Sequence, residues 1–171
     1  MSGTDLPGRA VPTGVRWTSC RFDALTVFEL QHIYAARQQV FAAEQRCIYV
    51  DVDGHDGAAC HVAAWSEVQR MPLAYAQLLD PGEKHAEPSM GRVLTTAAVR
   101  GTGLGRELVR RVLVASAEAW PQHGIRISAQ ARLERFYREF GFLAVGEPYD
   151  EDGIPHVEML RPRQGSLREA H

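Results

Sequence analysis

Apolar residues recur at helical spacing in the first third of the chain. Thr26 and Glu29 form the Ser/Thr-x-x-Glu pattern of a capping box, in which each residue satisfies a free backbone N–H of the other. The apolar positions that follow repeat every three or four residues, which indicates an amphipathic helix. The predicted core-facing residues are Leu30, Ile33, Val40 and Phe41, and the predicted water-facing residues are Gln31, Gln38 and Gln39.

A second helix is predicted over residues 103–120, where Pro121 and Gly124 end the pattern. Its predicted core-facing residues are Leu104, Leu108, Val112, Ala115 and Ala119. A shorter helix over residues 131–139 ends at Gly141, which occupies a C-cap position.

Alternating and β-branched stretches predict strands between these helices. They are Val15–Arg21 and residues 60–66, 72–79, 89–96, 125–129, 142–145 and 156–160. The second and third strands are close enough to form an antiparallel hairpin, and the fourth and fifth flank the long helix as a β-α-β unit. We therefore expect one α+β domain over residues 15–162, with a twisted mixed sheet of about six to seven strands flanked by helices and mobile tails at 1–14 and 163–171.

Composition excludes several classes of protein. The chain has 171 residues, which suffices for one domain, and its formal charge of −2 provides no general basic field for nucleic acid or anionic membrane. Its N-terminus lacks the basic and apolar segments of a signal peptide, and no apolar run is long enough to span a bilayer. Three cysteines without a C-x-x-C spacing fit a reducing compartment and give no zinc signature, so we expect a cytoplasmic protein.

The glycine-rich segment between the fourth strand and the long helix is a candidate anion site. Gly101, Gly103 and Gly105 remove side chains where a ligand must approach the backbone, and the first helical turn offers free N–H groups. A Walker loop does not fit, because Arg106 and Glu107 follow the last glycine, and a dinucleotide fingerprint needs that glycine one residue later. The remaining pattern is R-x-x-G-x-G, with a simple surface turn as the alternative.

The acidic segment 51–57 invites a calcium-loop interpretation. That motif needs an oxygen ligand at position five, glycine at position six and glutamate at position twelve, but His55, Asp56 and Val62 stand there. Turns stabilised by Asp side chains explain the segment better, and no metal is expected.

Two motifs together carry a resemblance to a known family. The R-x-x-G-x-G pattern of residues 100–105 and the FY-x-x-x-GF pattern of residues 136–142 resemble the GNAT superfamily of acyl-coenzyme A N-acyltransferases. With VFAAEQ (residues 40–45) and EDGIPH (residues 151–156), the chain is similar to the ElaA-like branch over roughly residues 15–162. The resemblance implies acetyl-CoA as donor.

The resemblance also implies which residues bind the donor. The pyrophosphate would bind backbone amides of the glycine loop, with positive charge from Arg100, and pantetheine and oxyanion contacts would come from backbone groups at the end of the fourth strand. Tyr137 would donate a proton to the departing thiolate, because its unperturbed pKa of about 10 keeps it protonated at neutral pH. An exposed arginine and a packed tyrosine are the alternatives. The implied donor-binding set is Leu94, Thr95, Thr96, Val99, Arg100, Gly101, Thr102, Gly103, Leu104, Gly105, Arg106 and Tyr137.

The general base has four candidates, Glu44, His61, Glu151 and His156, because carboxylates and imidazoles accept protons near neutral pH. Glu44 and His156 rank first. His61 lies in a probable central strand, where a hydrogen-bonded core histidine is the alternative.

The predicted acceptor pocket has its own set of residues, with a hydrogen-bonded loop beside the sheet as the alternative. ElaA-like sequences commonly have an arginine near the end of the third strand, where this chain has Gln77, so no anionic group on the acceptor is inferred. The predicted acceptor-binding residues are Glu44, Arg46, Tyr49, Asp53 and His61.

These features predict an N-acyltransferase that moves acetyl from acetyl-CoA to a primary amine by direct attack on the thioester. A non-catalytic, CoA-responsive binding module is the alternative, whereas hydrolysis lacks a G-x-S-x-G nucleophile motif. The expected partner is a small-molecule or peptidyl amine, without nucleic acid or membrane, and an edge strand near the C-terminus makes a homodimer plausible.

Overall fold

The computed structural model describes residues 10–163, in which eight strands and three helices alternate. The strands are β1 (Val15–Arg21), β2 (Ala59–Ser66), β3 (Ala74–Leu79), β4 (Ser89–Thr95), β5 (Ile125–Gln130), β6 (Leu143–Ala144), β7 (Tyr149–Glu151) and β8 (Ile154–Arg161). The helices are α1 (Val27–Arg37), α2 (Leu104–Ala119) and α3 (Glu134–Arg138). The predicted tails fall almost entirely outside the described residues.

All strands belong to one sheet, in the order β1-β2-β3-β4-β5-β8-β6, with β7 also paired to β8. The β4–β5 pair is parallel and the other pairs are antiparallel. The predicted mixed sheet is confirmed. It has one strand more than expected, because the segment predicted as a loop contains a tight hairpin, in which Tyr149 pairs with His156 around Asp152 and Gly153 at positive φ.

Helix α1 begins with the predicted capping box. The Glu29 amide donates to Thr26 Oγ1 over 3.1 Å, and the Thr26 amide donates to Glu29 Oε2 over 3.0 Å. The α-helix ends at Arg37, and the chain continues as a π-helix over Gln38–Glu44, a rare geometry that is frequent at functional sites. Of the predicted core residues, Ile33, Val40 and Phe41 are buried and Leu30 is half-buried; the three glutamines are exposed.

Helix α2 begins after Gly103 and packs on β2, β3 and β4. Its buried residues include the predicted Leu104, Leu108 and Val112. The prediction for Ala119 was wrong, because the last turn leaves this residue exposed, and Ser116 is the last buried position of the helix.

The two faces of the sheet have separate apolar cores. The larger core joins α2 and α3 to the sheet, with Leu108, Ile127 and Phe142 at its centre. The smaller core places Ile33 and Phe41 against Tyr75 on the opposite face. Because helices cover both faces, every residue of β3 is buried.

A fully buried arginine ties α1 to the segment before β2. Arg37 donates from Nε to Asp51 Oδ2 over 2.7 Å and from Nη1 to Asp56 Oδ1 over 2.5 Å. Asp56 also accepts from Gln77 Nε2 over 2.9 Å. The acidic segment therefore neutralises an internal cation, and the Asp53 side chain accepts from the His55 amide over 3.2 Å, as an Asp-stabilised turn requires.

No group of three or more His, Cys, Asp and Glu side chains within residues 10–163 could hold a metal ion. No helix within this range is long and apolar enough to cross a membrane.

Replacing Arg37 by methionine should lower the free energy of unfolding by about 3–5 kcal/mol, because Asp56 would remain buried without its cationic partner. Urea denaturation followed by circular dichroism measures the change. Gln38→Met, at the exposed neighbouring position, is the matched control and should change stability by less than about 0.5 kcal/mol. A loss below about 1 kcal/mol for Arg37→Met would contradict this account of the fold.

Candidate active site

The parallel strands β4 and β5 diverge toward their carboxyl ends. Only Ser89 and Arg126 pair between them, so the remaining backbone edges of both strands face an open cleft. A cavity of about 350 Å³ occupies this cleft, lined by the β4 segment 89–93 and the β5 segment 127–130. Free strand edges can hydrogen-bond an extended ligand placed between them.

An irregularity in β4 accompanies this divergence. The pairing with β3 shifts register between Tyr75 and Gln77, and Arg92 adopts a positive φ of 50°. Such bulges bend a strand and increase its twist. Arg92 is held in place by ion pairs of 2.9 Å with both Asp51 and Asp53.

Tyr137 forms part of the cavity wall. Its ring packs edge-on against Phe136 and Phe142, with centroids 5.1 and 5.8 Å away. Burial raises the pKa of the Tyr137 phenol above its ordinary value, so the group is a proton donor at neutral pH. Its hydroxyl makes no hydrogen bond with the residues that the structure describes, which leaves that proton available to a ligand.

His156 lies on the opposite side of the cleft, on β8, and also lines the cavity. Its Nδ1 is 2.8 Å from the carbonyl oxygen of Ile154. Because a carbonyl can only accept, Nδ1 carries the proton, and Nε2 of the neutral ring is free to accept another. The nearest charged atom to this nitrogen is Glu151 Oε2, at 3.8 Å.

The glycine loop follows β4 and begins α2. Gly101 and Gly103 have φ angles of 78° and 88°, a region that other residues rarely adopt. A side chain at Gly105 would lie 3.3 Å from Thr95 Cγ2, so glycine allows the loop to sit against the end of β4. Within the described chain, the amides of these three glycines donate no hydrogen bond, and they remain available to an anion.

Arg100 is already paired in this structure. Its guanidinium donates to the Thr95 carbonyl from Nε and Nη2, over 3.2 and 3.0 Å, and Nη2 also contacts Glu44 Oε2 directly. An anion that binds Arg100 must therefore compete with the Glu44 carboxylate.

The other predicted donor-binding residues surround this loop. Val99 and Leu104 are buried in the larger core and pack the loop onto it, whereas Leu94 of β4 is buried in the smaller core. Thr102 Oγ1 donates to the Val99 carbonyl over 2.7 Å and caps the turn. Arg106 pairs with Glu139 of the segment after α3, and Thr96 Oγ1 is buried without a hydrogen-bond partner in the described chain.

The predicted acceptor residues divide into two groups. Tyr49 and Asp53 line the cavity, whereas Glu44 and Arg46 do not. His61 is also not brought to the cavity, because it is buried within the sheet. Its Nε2 donates to the Asp56 carbonyl over 3.0 Å, Nδ1 accepts from the Tyr75 hydroxyl over 2.8 Å, and burial lowers its pKa. His61 is therefore a neutral core histidine, the alternative raised by its sequence position.

Several cavity residues carry no recognisable signal in the sequence. Gln130 at the end of β5 donates to Gln45 Oε1 over 3.0 Å and so connects β5 with the end of the π-helix. Single glutamines and serines have no motif, and only the period-two alternation of β5 places Ser128 and Gln130 on one face. The cavity residues missed from sequence include Gln45, Cys47, Gln77, Lys84, His85, Arg92, Ser128 and Gln130.

The arrangement combines a glycine loop with free amides, two diverging parallel strands and a buried tyrosine. A family model described as an acetyltransferase (GNAT) domain matches residues 55–161. The chain belongs to the GNAT acetyltransferase family. The resemblance inferred from the glycine loop and the FY-x-x-x-GF segment is confirmed.

The ElaA-like assignment is confirmed as well. ElaA of Escherichia coli is 36% identical over 149 residues, covering 86% of this chain and 96% of that protein, and a UPF0039 protein of Synechocystis is 42% identical over 146 residues, covering 85% and 94%. An acyl-CoA N-acyltransferase from Pseudomonas aeruginosa has a similar solved structure, with a TM-score of 0.81 and 41% identity over 86% of this chain and 99% of that one. The crystal structure of E. coli ElaA gives a TM-score of 0.80 at 35% identity, with 86% and 99% covered.

Proposed function

We propose that this acyltransferase moves an acetyl group from acetyl-CoA to a primary amine by direct attack of the amine on the thioester. The proposal rests on the cleft between β4 and β5, which has Tyr137 in its wall, and on the glycine loop that follows β4 and begins α2. This combination suits a long ligand with an anionic head and a reactive tail.

The free amides of the glycine loop fit a pyrophosphate. Gly101, Gly103 and Gly105 have no side chains to obstruct it, and Arg100 adds a positive charge at the same place. The exposed edge of β4 would hydrogen-bond the amide groups of the pantetheine arm. When bound, acetyl-CoA supplies the activated thioester carbonyl.

Two side chains would carry out the two proton transfers of the reaction. Nε2 of His156 would accept a proton from the acceptor nitrogen, directly or through water, because Nδ1 is already committed to Ile154. The Tyr137 hydroxyl would donate a proton to the departing sulfur, since its burial keeps it protonated. Glu44 is less suited to act as base, because its carboxylate is neutralised by Arg100 outside the cavity.

Release of free thiol from acetyl-CoA in the presence of a panel of primary amines tests the proposal. Tyr137→Phe should lower kcat about 100-fold and change the KM for acetyl-CoA less than about twofold, because only proton donation is lost. Tyr34→Phe, which removes a hydroxyl from a residue that does not line the cavity, is the matched control. If no amine promotes thiol release by the wild-type protein, the proposed function is wrong.

Glycine 103 should be essential for donor binding. Gly103→Val places a branched side chain at a φ of 88° in front of the free amides, so calorimetry should show CoA binding weakened at least about tenfold. Gly14→Val is the control, since Gly14 also has a positive φ but precedes β1 and does not line the cavity. Equal CoA affinity in Gly103→Val and wild type would exclude this loop as the pyrophosphate site.

Glu44→Gln should strengthen CoA binding. Removing the carboxylate frees Arg100, so CoA should bind about two- to fivefold more tightly, the range expected for an exposed ion pair. Glu107→Gln removes a carboxylate from α2 that pairs with Arg110 and Arg111, and it should leave the affinity unchanged. Weaker CoA binding in Glu44→Gln would show that Glu44 supports the donor site and does not compete with it.

A further inference from the structure

Four side chains from three neighbouring strands form a continuous row beside His156. Ser128 Oγ on β5 is 3.4 Å from Glu151 Oε2 on β7, and it also contacts the Tyr149 hydroxyl directly. Tyr149 lies 3.2 Å from Glu158 Oε1 on β8. The row therefore has a carboxylate at each end and two hydroxyls between them.

The row lacks one proton when both carboxylates are ionised. Each hydroxyl has a single proton to donate, but the row contains three oxygen–oxygen contacts. Two protons cannot fill three hydrogen bonds. A third proton on either carboxyl group would give each of the three contacts a hydrogen atom.

Other side chains surround the Glu158 end of the row. Glu158 Oε2 is buried and has no hydrogen-bond partner in the described chain, although Arg126 Nη1 lies 3.7 Å away. Arg126 forms an ion pair with Glu87 over 2.9 Å. The half-buried His85 lies near Glu87 and Glu158, since the charges of these two carboxylates influence its pKa. These groups hold Glu158 in place without supplying the missing proton.

The Glu151 end is open to water and lies next to the proposed base. Glu151 Oε2 is 3.8 Å from Nε2 of His156, and 47% of its side chain is exposed. The Tyr149 and His156 rings lie with their centroids 6.2 Å apart. The other carboxylates of this hairpin are Asp150, which accepts from the Gly153 amide over 3.0 Å, and Asp152 in the turn.

The proposed reaction produces a proton that must leave the site. A primary amine is an ammonium ion near neutral pH, and its nitrogen loses two protons on becoming an amide. One of these protons replaces the proton that Tyr137 gives to the CoA thiol, and the other goes to the base. His156 must release that second proton before the next turnover.

We propose that Glu151 takes this proton from Nε2 of His156 through one bridging water and passes it to solvent, while Ser128, Tyr149 and Glu158 complete the hydrogen bonds of the protonated row. The Nε2–H bond breaks as the water accepts that proton, and the water gives one of its own protons to Glu151 Oε2. Protonated Glu151 then donates to Ser128, Ser128 to Tyr149, and Tyr149 to Glu158, so every contact in the row has a proton. This inference rests on the proposed function, and Glu151 acts through His156 without contacting the substrate.

The test compares Glu151→Gln with wild type in the thiol-release assay. With ethylamine, which is an ammonium ion at neutral pH, kcat should fall at least about tenfold while KM for the amine and for acetyl-CoA stays within about twofold. With 2,2,2-trifluoroethylamine, which is largely uncharged at neutral pH, the difference should disappear, because no surplus proton is produced. Glu151→Asp should recover part of the activity.

Two further variants complete the comparison. Glu147→Gln removes an exposed carboxylate just before β7 and should behave as wild type. Tyr149→Phe interrupts the row without changing its charge, and it should lower kcat for ethylamine less than Glu151→Gln does.

An unchanged kcat in Glu151→Gln would overturn the proposal. So would a raised KM for the amine at unchanged kcat, which would make Glu151 an acceptor-binding residue. Nitrogen-15 NMR of the ligand-free protein provides a separate test, because a proton on Nε2 and not on Nδ1 of neutral His156 would exclude the relay. A wild-type protein without amine-dependent activity would instead refute the proposed function, and the NMR result would still report on His156.

Discussion

The bend in β4 at Arg92 is the constraint on which the active site depends. This residue adopts a positive φ within a strand, a conformation that an arginine keeps only when its surroundings hold it there. Ion pairs with Asp51 and Asp53 fix this conformation, and Asp51 also forms an ion pair with the buried Arg37 of α1. The ion pairs thus connect the first helix, the acidic segment and the bulge, which lies in the part of β4 that is separated from β5 and lines the cleft.

The same network shows what the acidic segment contributes to the structure. Its carboxylates face arginines from two elements that lie far apart in the sequence. Removing either partner would leave a charge in a poorly solvated place, which is the costly outcome for a buried ion pair. The segment also brings Tyr49 and Asp53 to the cavity, so the fold and the cavity wall depend on the same contacts.

Interactions between residues close in sequence account for the features that the sequence predicts correctly. The capping box at Thr26, the hairpin of β2 and β3 and the glycine loop each depend on neighbouring residues, and all three are present in the structure. The glycine loop and Tyr137 also sufficed to identify the family. The pairings that join distant segments could not be predicted, because no sequence pattern specifies them.

Glu44 and His61 illustrate this limit. As residue types both are reasonable proton acceptors, but Glu44 lies against Arg100, 56 residues away, and His61 uses both ring nitrogens inside the sheet. His156 differs from them only in its surroundings, since one nitrogen is occupied and the other is free. The choice among the candidate bases thus follows from tertiary contacts, as does the row of side chains behind His156.

The proposed function requires that the cleft between β4 and β5 binds the donor with its sulfur at Tyr137. A crystal structure of the protein with CoA would test this arrangement. We expect the pyrophosphate on the amides of Gly101, Gly103 and Gly105, the pantetheine arm between the two strands, and the sulfur within roughly 3–3.5 Å of the Tyr137 hydroxyl. A CoA molecule bound elsewhere, or a sulfur distant from Tyr137, would contradict it.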